Sequence, residues 1–184
     1  MSVLHLVRHG RSMPVAGLPA HEWELDPAGF DEVWALRESG RLPEAAVWFC
    51  SPEPKAIGTS QLLTEGEVGV VDGLREHVRD SVDWLDDFPA VVRRAFAEPH
   101  LSAHPGWEPL DACRDRVLRA AAGILGVHGQ GDLVLVGHGT AWTLLAAALN
   151  GTPPDLDRWE RMSMPDVIDV PLPAPGAPSD MLAP

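Results

Sequence analysis

Arg8 and His9 stand side by side at the end of a short apolar run, Val3 to Val7, broken only by His5, and Gly10 follows them. A run so nearly continuous predicts a parallel strand buried on both faces. Open α/β sheets hold their ligands at the carboxyl ends of such strands, and a glycine there lets the backbone turn sharply and approach a ligand. A second run, Leu133 to Val136, leaves a Gly131-Asp132 turn and ends in Gly137-His138-Gly139. If both runs belong to one sheet, His9 and His138 meet at the same end of it, with a guanidinium beside them. Neutral imidazole, with a reference pKa of ~6.5, is a nucleophile at neutral pH. Arginine offers phosphate a fork of N–H donors. Together these residue types suit phosphoryl transfer to nitrogen.

Leu6-Val7-Arg8-His9-Gly10-Arg11-Ser12 resembles the signature of the histidine phosphatase superfamily, the phosphoglycerate-mutase-like enzymes, and Val136-Gly137-His138-Gly139 resembles that family's second histidine motif. The resemblance covers about residues 2–170, with the motifs in the family's order. It implies an α/β fold, a three-layer α/β/α sandwich with a mostly parallel central sheet. It implies a metal-independent phosphomonoesterase, without cofactor, acting on a small phosphorylated metabolite through a phosphohistidine on His9. Arg8 and His138 would hold the phosphoryl oxygens. Glu76, in Leu74-Arg75-Glu76, matches the family's proton donor, with Asp80 and Asp83 as lesser candidates. Lys55 stands where the family supplies a phosphate-binding arginine, and Arg11 and Ser12 fall on the substrate side. Two departures accompany the match: lysine for arginine at 55, and no glycine between Val78 and Trp84 where the family often has one. Two other activities share the fold, a mutase that returns the phosphoryl group to a substrate and a phosphate-ligand-binding module with little turnover. Family mutases are usually longer, which favours the phosphatase. An α/β-hydrolase is disfavoured, because Gly137 to Ala141 lacks the serine and final glycine of a nucleophile elbow.

Several elements must position these groups. Ala45 to Cys50 predicts a second strand. Ser51-Pro52 after it reads as an N-cap and first helical residue, which puts Lys55 in the first turn of a helix. The dipole disfavours a cation there and favours a bound anion, so a phosphate between Lys55 and the amide groups would explain it. Lys55 is also the one lysine among 14 basic residues. Val68 to Val71 predicts a short strand leading to Glu76. Asp26-Pro27 signals another helix start, and Phe88 to Ala97 also reads as helical. Leu110, Cys113, Val117, Ala121 and Ile124 form one apolar stripe of a long helix, Leu110 to Val127, with Arg114, Arg116 and Arg119 read as solvated charges. Trp142 to Leu149 predicts a helix and Val167 to Val170 a last strand. His100 and His104 have an i, i+4 spacing, but flanking prolines and the missing glutamate argue against a zinc pair, and no metal site is expected. Arg75, Arg79 and Trp107 could line the entrance.

A chain of 184 residues suits one domain over 1–170, and Pro171 to Pro184, with five prolines, reads as a disordered or loosely attached tail. Net charge of -13 argues against nucleic acid or an anionic membrane as partner. Two cysteines, no signal-type leader and no membrane-length apolar run point to the cytoplasm.

Overall fold

The computed structural model describes residues 2–172. Five strands, β1 (Val3–Arg8), β2 (Val47–Cys50), β3 (Val68–Val70), β4 (Leu133–Gly137) and β5 (Asp166–Pro171), form one sheet in the order β3-β2-β4-β1-β5. All pairs are parallel except β1 with β5. The apolar runs of β1 and β4 are continuous because both faces of the sheet are covered. Leu4, Leu6, Leu133 and Leu135 pack on one face against α4 (Leu110–His128) and α5 (Gly139–Asn150). Val7, Val134 and Val136 share the other cluster with Val33 of α1 (Phe30–Glu38) and Leu63 of α2 (Pro54–Leu63). Two further α-helices, α3 (Phe88–Ala97) and α6 (Leu156–Arg161), complete the α-helices among the described residues.

The stripe expected on the long helix is its buried set: Leu110, Cys113, Val117, Ala121 and Ile124. Three expectations need correction. The helix after β2 begins at Pro54, not at Pro52, so Ser51 does not cap it. The α5 helix starts at Gly139, directly after His138. The fold also reaches past 170: Pro171 belongs to β5, and buried Leu172 donates its N–H to the Ser2 carbonyl at 2.9 Å. Residues 173–184, the rest of the expected tail, lie outside the described residues.

Candidate active site

β1 and β4 are direct neighbours, with Arg8 level with Gly137. Leaving the sheet together, they carry His9 and His138 to ring centroids 5.2 Å apart. The His9 N–H donates to the Gly137 carbonyl at 2.8 Å, which ties the two strand ends. The turn at Gly10 is closely packed: a Cβ there would lie 2.6 Å from Val33 Cγ2 and 3.0 Å from Leu25 Cδ1. Its N–H donates to Thr59 Oγ1 at 2.9 Å, and that hydroxyl donates to the Lys55 carbonyl at 2.7 Å, so α2 holds the turn in place.

His9 is buried, and its Nδ1 lies 2.6 Å from the Gly10 carbonyl oxygen. A carbonyl only accepts, so Nδ1 carries the proton and Nε2 the lone pair. Burial, then neighbouring His138, Lys55 and Arg8, depress the His9 pKa well below the ordinary value, against a rise from the Gly10 bond. His138 is fully buried and held at about 3, chiefly by desolvation. Its Nε2 is 2.7 Å from Ser51 Oγ, and its Nδ1 has no partner among the described residues. Arg8 donates through Nη1 to the Met162 carbonyl at 2.7 Å, while its buried Nε is likewise unpartnered. Both residues line one cavity of about 650 Å³ with His9, Lys55 and Glu76. Unmet buried hydrogen-bonding groups are costly, and two of them belong to residues that line this cavity.

Glu76 crosses to α5, where its Oε1 accepts from Ala141 N–H at 2.9 Å and its Oε2 from Thr140 N–H at 3.2 Å. Burial raises its pKa, but Arg79, His138 and the N–H groups of His77 and Thr140 outweigh that and hold it at about 2. The carboxylate thus occupies the positive end of α5 as an anion. Arg11 and Ser12 lie at the cavity wall, Arg11 half-exposed and paired with Asp26 at 2.9 Å. Asp80 also lines the cavity, and Asp83 lines an adjoining apolar chamber.

Lys55 differs from expectation. It is in the first turn of α2, but its ammonium is buried, 2.5 Å from Glu53 Oε2 and 2.7 Å from the Ala20 carbonyl. Glu53 is buried as well. Its other oxygen accepts the Glu76 N–H at 2.8 Å and lies 3.4 Å from His138 Nε2. The pattern around 51–56 concealed this acid between two prolines; the one available signal was that a buried lysine needs a counter-charge. Arg116, expected in solvent, instead donates to the carbonyls of Gly73, Arg75 and Glu76 and to the Glu108 carboxylate. Arg79, expected at the entrance, is inside the wall: it reaches Thr140 Oγ1 at 3.0 Å and lies over the Phe88 and Trp107 rings.

The sequence matches the histidine phosphatase superfamily (branch 1) over residues 4–168. No curated protein matches the chain. Among solved structures it is similar to YhfR of Bacillus stearothermophilus, with 22% identity, 94% of this chain and 92% of that one covered, and a TM-score of 0.75. It is also similar to a mycobacterial glucosyl-3-phosphoglycerate phosphatase, at 21% identity over 91% and 89% of the chains with a TM-score of 0.71. A phosphoglycerate mutase of Thermus thermophilus matches at 21% identity over 94% of each chain with a TM-score of 0.66.

Proposed function

The chain belongs to the histidine phosphatase superfamily, and on that premise we propose that it is a phosphomonoesterase working through a phosphohistidine on His9. The observation that carries this reading is the Nδ1–Gly10 carbonyl contact, which makes Nε2 the nucleophilic nitrogen. Nε2 attacks phosphorus as the P–O bond to the alcohol breaks. Arg8 and His138 take up the phosphoryl oxygens, while Lys55 is neutralised by Glu53 behind them. Glu76 gives a proton to the departing oxygen, then removes one from the water that attacks the phosphohistidine. Phosphate leaves, and His9 is again neutral. The negative charge of a bound phosphate raises Glu76 toward its acid form. Arg8 supplies the cation at the phosphoryl group and neutral His138 a hydrogen-bonding partner, and the scheme routes no step through a metal.

Chain length does not separate phosphatase from mutase, because the phosphoglycerate mutase above is matched over 94% of its own chain. Near the mouth Arg11 is paired with Asp26 and Arg75 with Asp72 at 3.0 Å, exposed pairs that a bound anion could displace.

Turnover of an alkyl or aryl phosphate should persist in EDTA. Quenching with labelled substrate into base should trap an acid-labile phosphoprotein that is missing from His9→Ala. Loss of activity in EDTA with recovery in zinc or magnesium, or label on serine or aspartate, would overturn the reading.

A further inference from the structure

Beside the phosphate cavity lies a second chamber of about 410 Å³. We propose that it binds the alcohol part of the substrate, so that this chain acts on phosphomonoesters of bulky apolar alcohols. The inference rests on the phosphatase reading for its chemistry, but the chamber stands on its own observations.

Its walls are Leu18, Trp23, Trp84, Leu85, Phe88 and Trp107, with Asp83 contributing a carboxylate. Two of the three indole N–H groups are already used: Trp23 Nε1–H donates to the Leu18 carbonyl at 3.1 Å and Trp107 Nε1–H to Ser81 Oγ at 3.3 Å. What remains is mostly apolar surface. Trp84 is 75% exposed and Leu18 40%, on two loops that both border the chamber. Aromatic and aliphatic groups left in water around a concavity mark a site for an apolar ligand.

The chamber adjoins the phosphate cavity: Ala20, Trp23, Arg79 and Phe88 line both. Arg79 forms the boundary. Its guanidinium is 4.9 Å from the Phe88 ring centre and 4.8 Å from that of Trp107, and its charge acts on Glu76. The chamber therefore borders the phosphate cavity at the cation that acts on Glu76, the group proposed to protonate the leaving oxygen. The carbon skeleton attached to that oxygen is what would enter. Away from Arg79 at the boundary, a second phosphate or carboxylate would meet Asp83 and apolar walls there, a poor setting for an anion.

The test is calorimetric binding of the n-alkyl phosphonates from ethyl to octyl, which cannot be hydrolysed at their P–C bond, to the full chain. Binding should tighten by about fourfold per methylene until the chamber fills, the transfer preference of a buried CH₂. In Trp84→Ala and Leu18→Ser, both at exposed positions and checked for folding by circular dichroism, the octyl-to-ethyl affinity ratio should fall at least fivefold. Equal affinity along the series, or an unchanged ratio in both variants, overturns the proposal. The two readings fail separately: graded binding with no turnover of the matching phosphates refutes the phosphatase and keeps the chamber. Turnover with a flat series refutes the chamber alone. Binding of none of the phosphonates refutes both.

Discussion

Lys55 and Glu53 form a buried pair whose side chains are 6% and 4% exposed. For a lone lysine near a helix N-terminus, removing the charge would stabilise by about 0.3–1 kcal/mol. Paired, the sign reverses: Lys55→Met leaves a buried carboxylate uncompensated and should cost about 3–5 kcal/mol, whereas Glu53→Leu/Lys55→Met together should recover most of the loss. Urea unfolding of the three proteins decides it, and a Lys55→Met chain as stable as the parent would show the pair to be inert. The other residue-scale consequence concerns protons. His9 has its pKa depressed, so it stays neutral and nucleophilic below the ordinary histidine value, and the acid limb of kcat/KM should lie below pH 6.5. Glu76 at about 2 is ionised in the free protein, so the proton it donates must arrive with the substrate. The phosphate monoanion carries that proton and loses it near pH ~6. For an alkyl phosphate, kcat/KM should therefore fall above about pH 6. A plateau extending to pH 8 would mean another group supplies the proton.

At the scale of elements, α4 does more than fill the core. Arg116 on its polar side holds three carbonyls of the segment that ends in Glu76, at 2.9–3.1 Å. Arg116→Ala should cost about 2–4 kcal/mol, since bonds to a charged donor contribute about 1.5–3 kcal/mol each and are not additive. A purely structural loss would slow all substrates alike. Misplacing Glu76 should instead slow an alkyl phosphate at least tenfold more than p-nitrophenyl phosphate, whose leaving group needs no proton. Equal slowing of the two would reduce Arg116 to a structural role. The stripe of α4 was legible because period and burial coincide, and β1 and β4 were legible because two-sided burial leaves a continuous apolar run. Arg116 was not, because an arginine outside the stripe looks the same whether it meets water or backbone carbonyls. Ser51-Pro52 misled because Pro54 is an equally good first helical residue, and the serine hydroxyl went to His138. The adjacency of His9 and His138 could be inferred from matched strand ends; the Glu53–Lys55 pair depends on side-chain burial that no local pattern encodes.

For the whole molecule, the site makes folding sensitive to acid. His138 at about 3 and His9 well below its usual value are neutral when folded, whereas in the unfolded chain both titrate near 6.5. The unfolded state binds more protons as pH drops below 6.5, so stability falls through that window, down to about pH 3 for His138. Each unmatched proton gives a slope of about 1.4 kcal/mol per pH unit, about 2.7 where both contribute. Chemical unfolding at pH 7 and pH 5 should show the loss, and His138→Gln should reduce the slope; a pH-independent midpoint would contradict it. The order of the strands has a further consequence, for the chain as it is made. β1 emerges first, yet its two neighbours are β4 and β5, which end at Gly137 and Pro171. At about 5–20 residues per second the ribosome takes on the order of ten seconds to deliver the first of them. During that time the apolar strand that leads into His9 has nothing to pair with. The proposed phosphate site therefore cannot exist on a partly made chain, and the unpaired β1 is a natural segment for a chaperone to hold until β4 and β5 arrive.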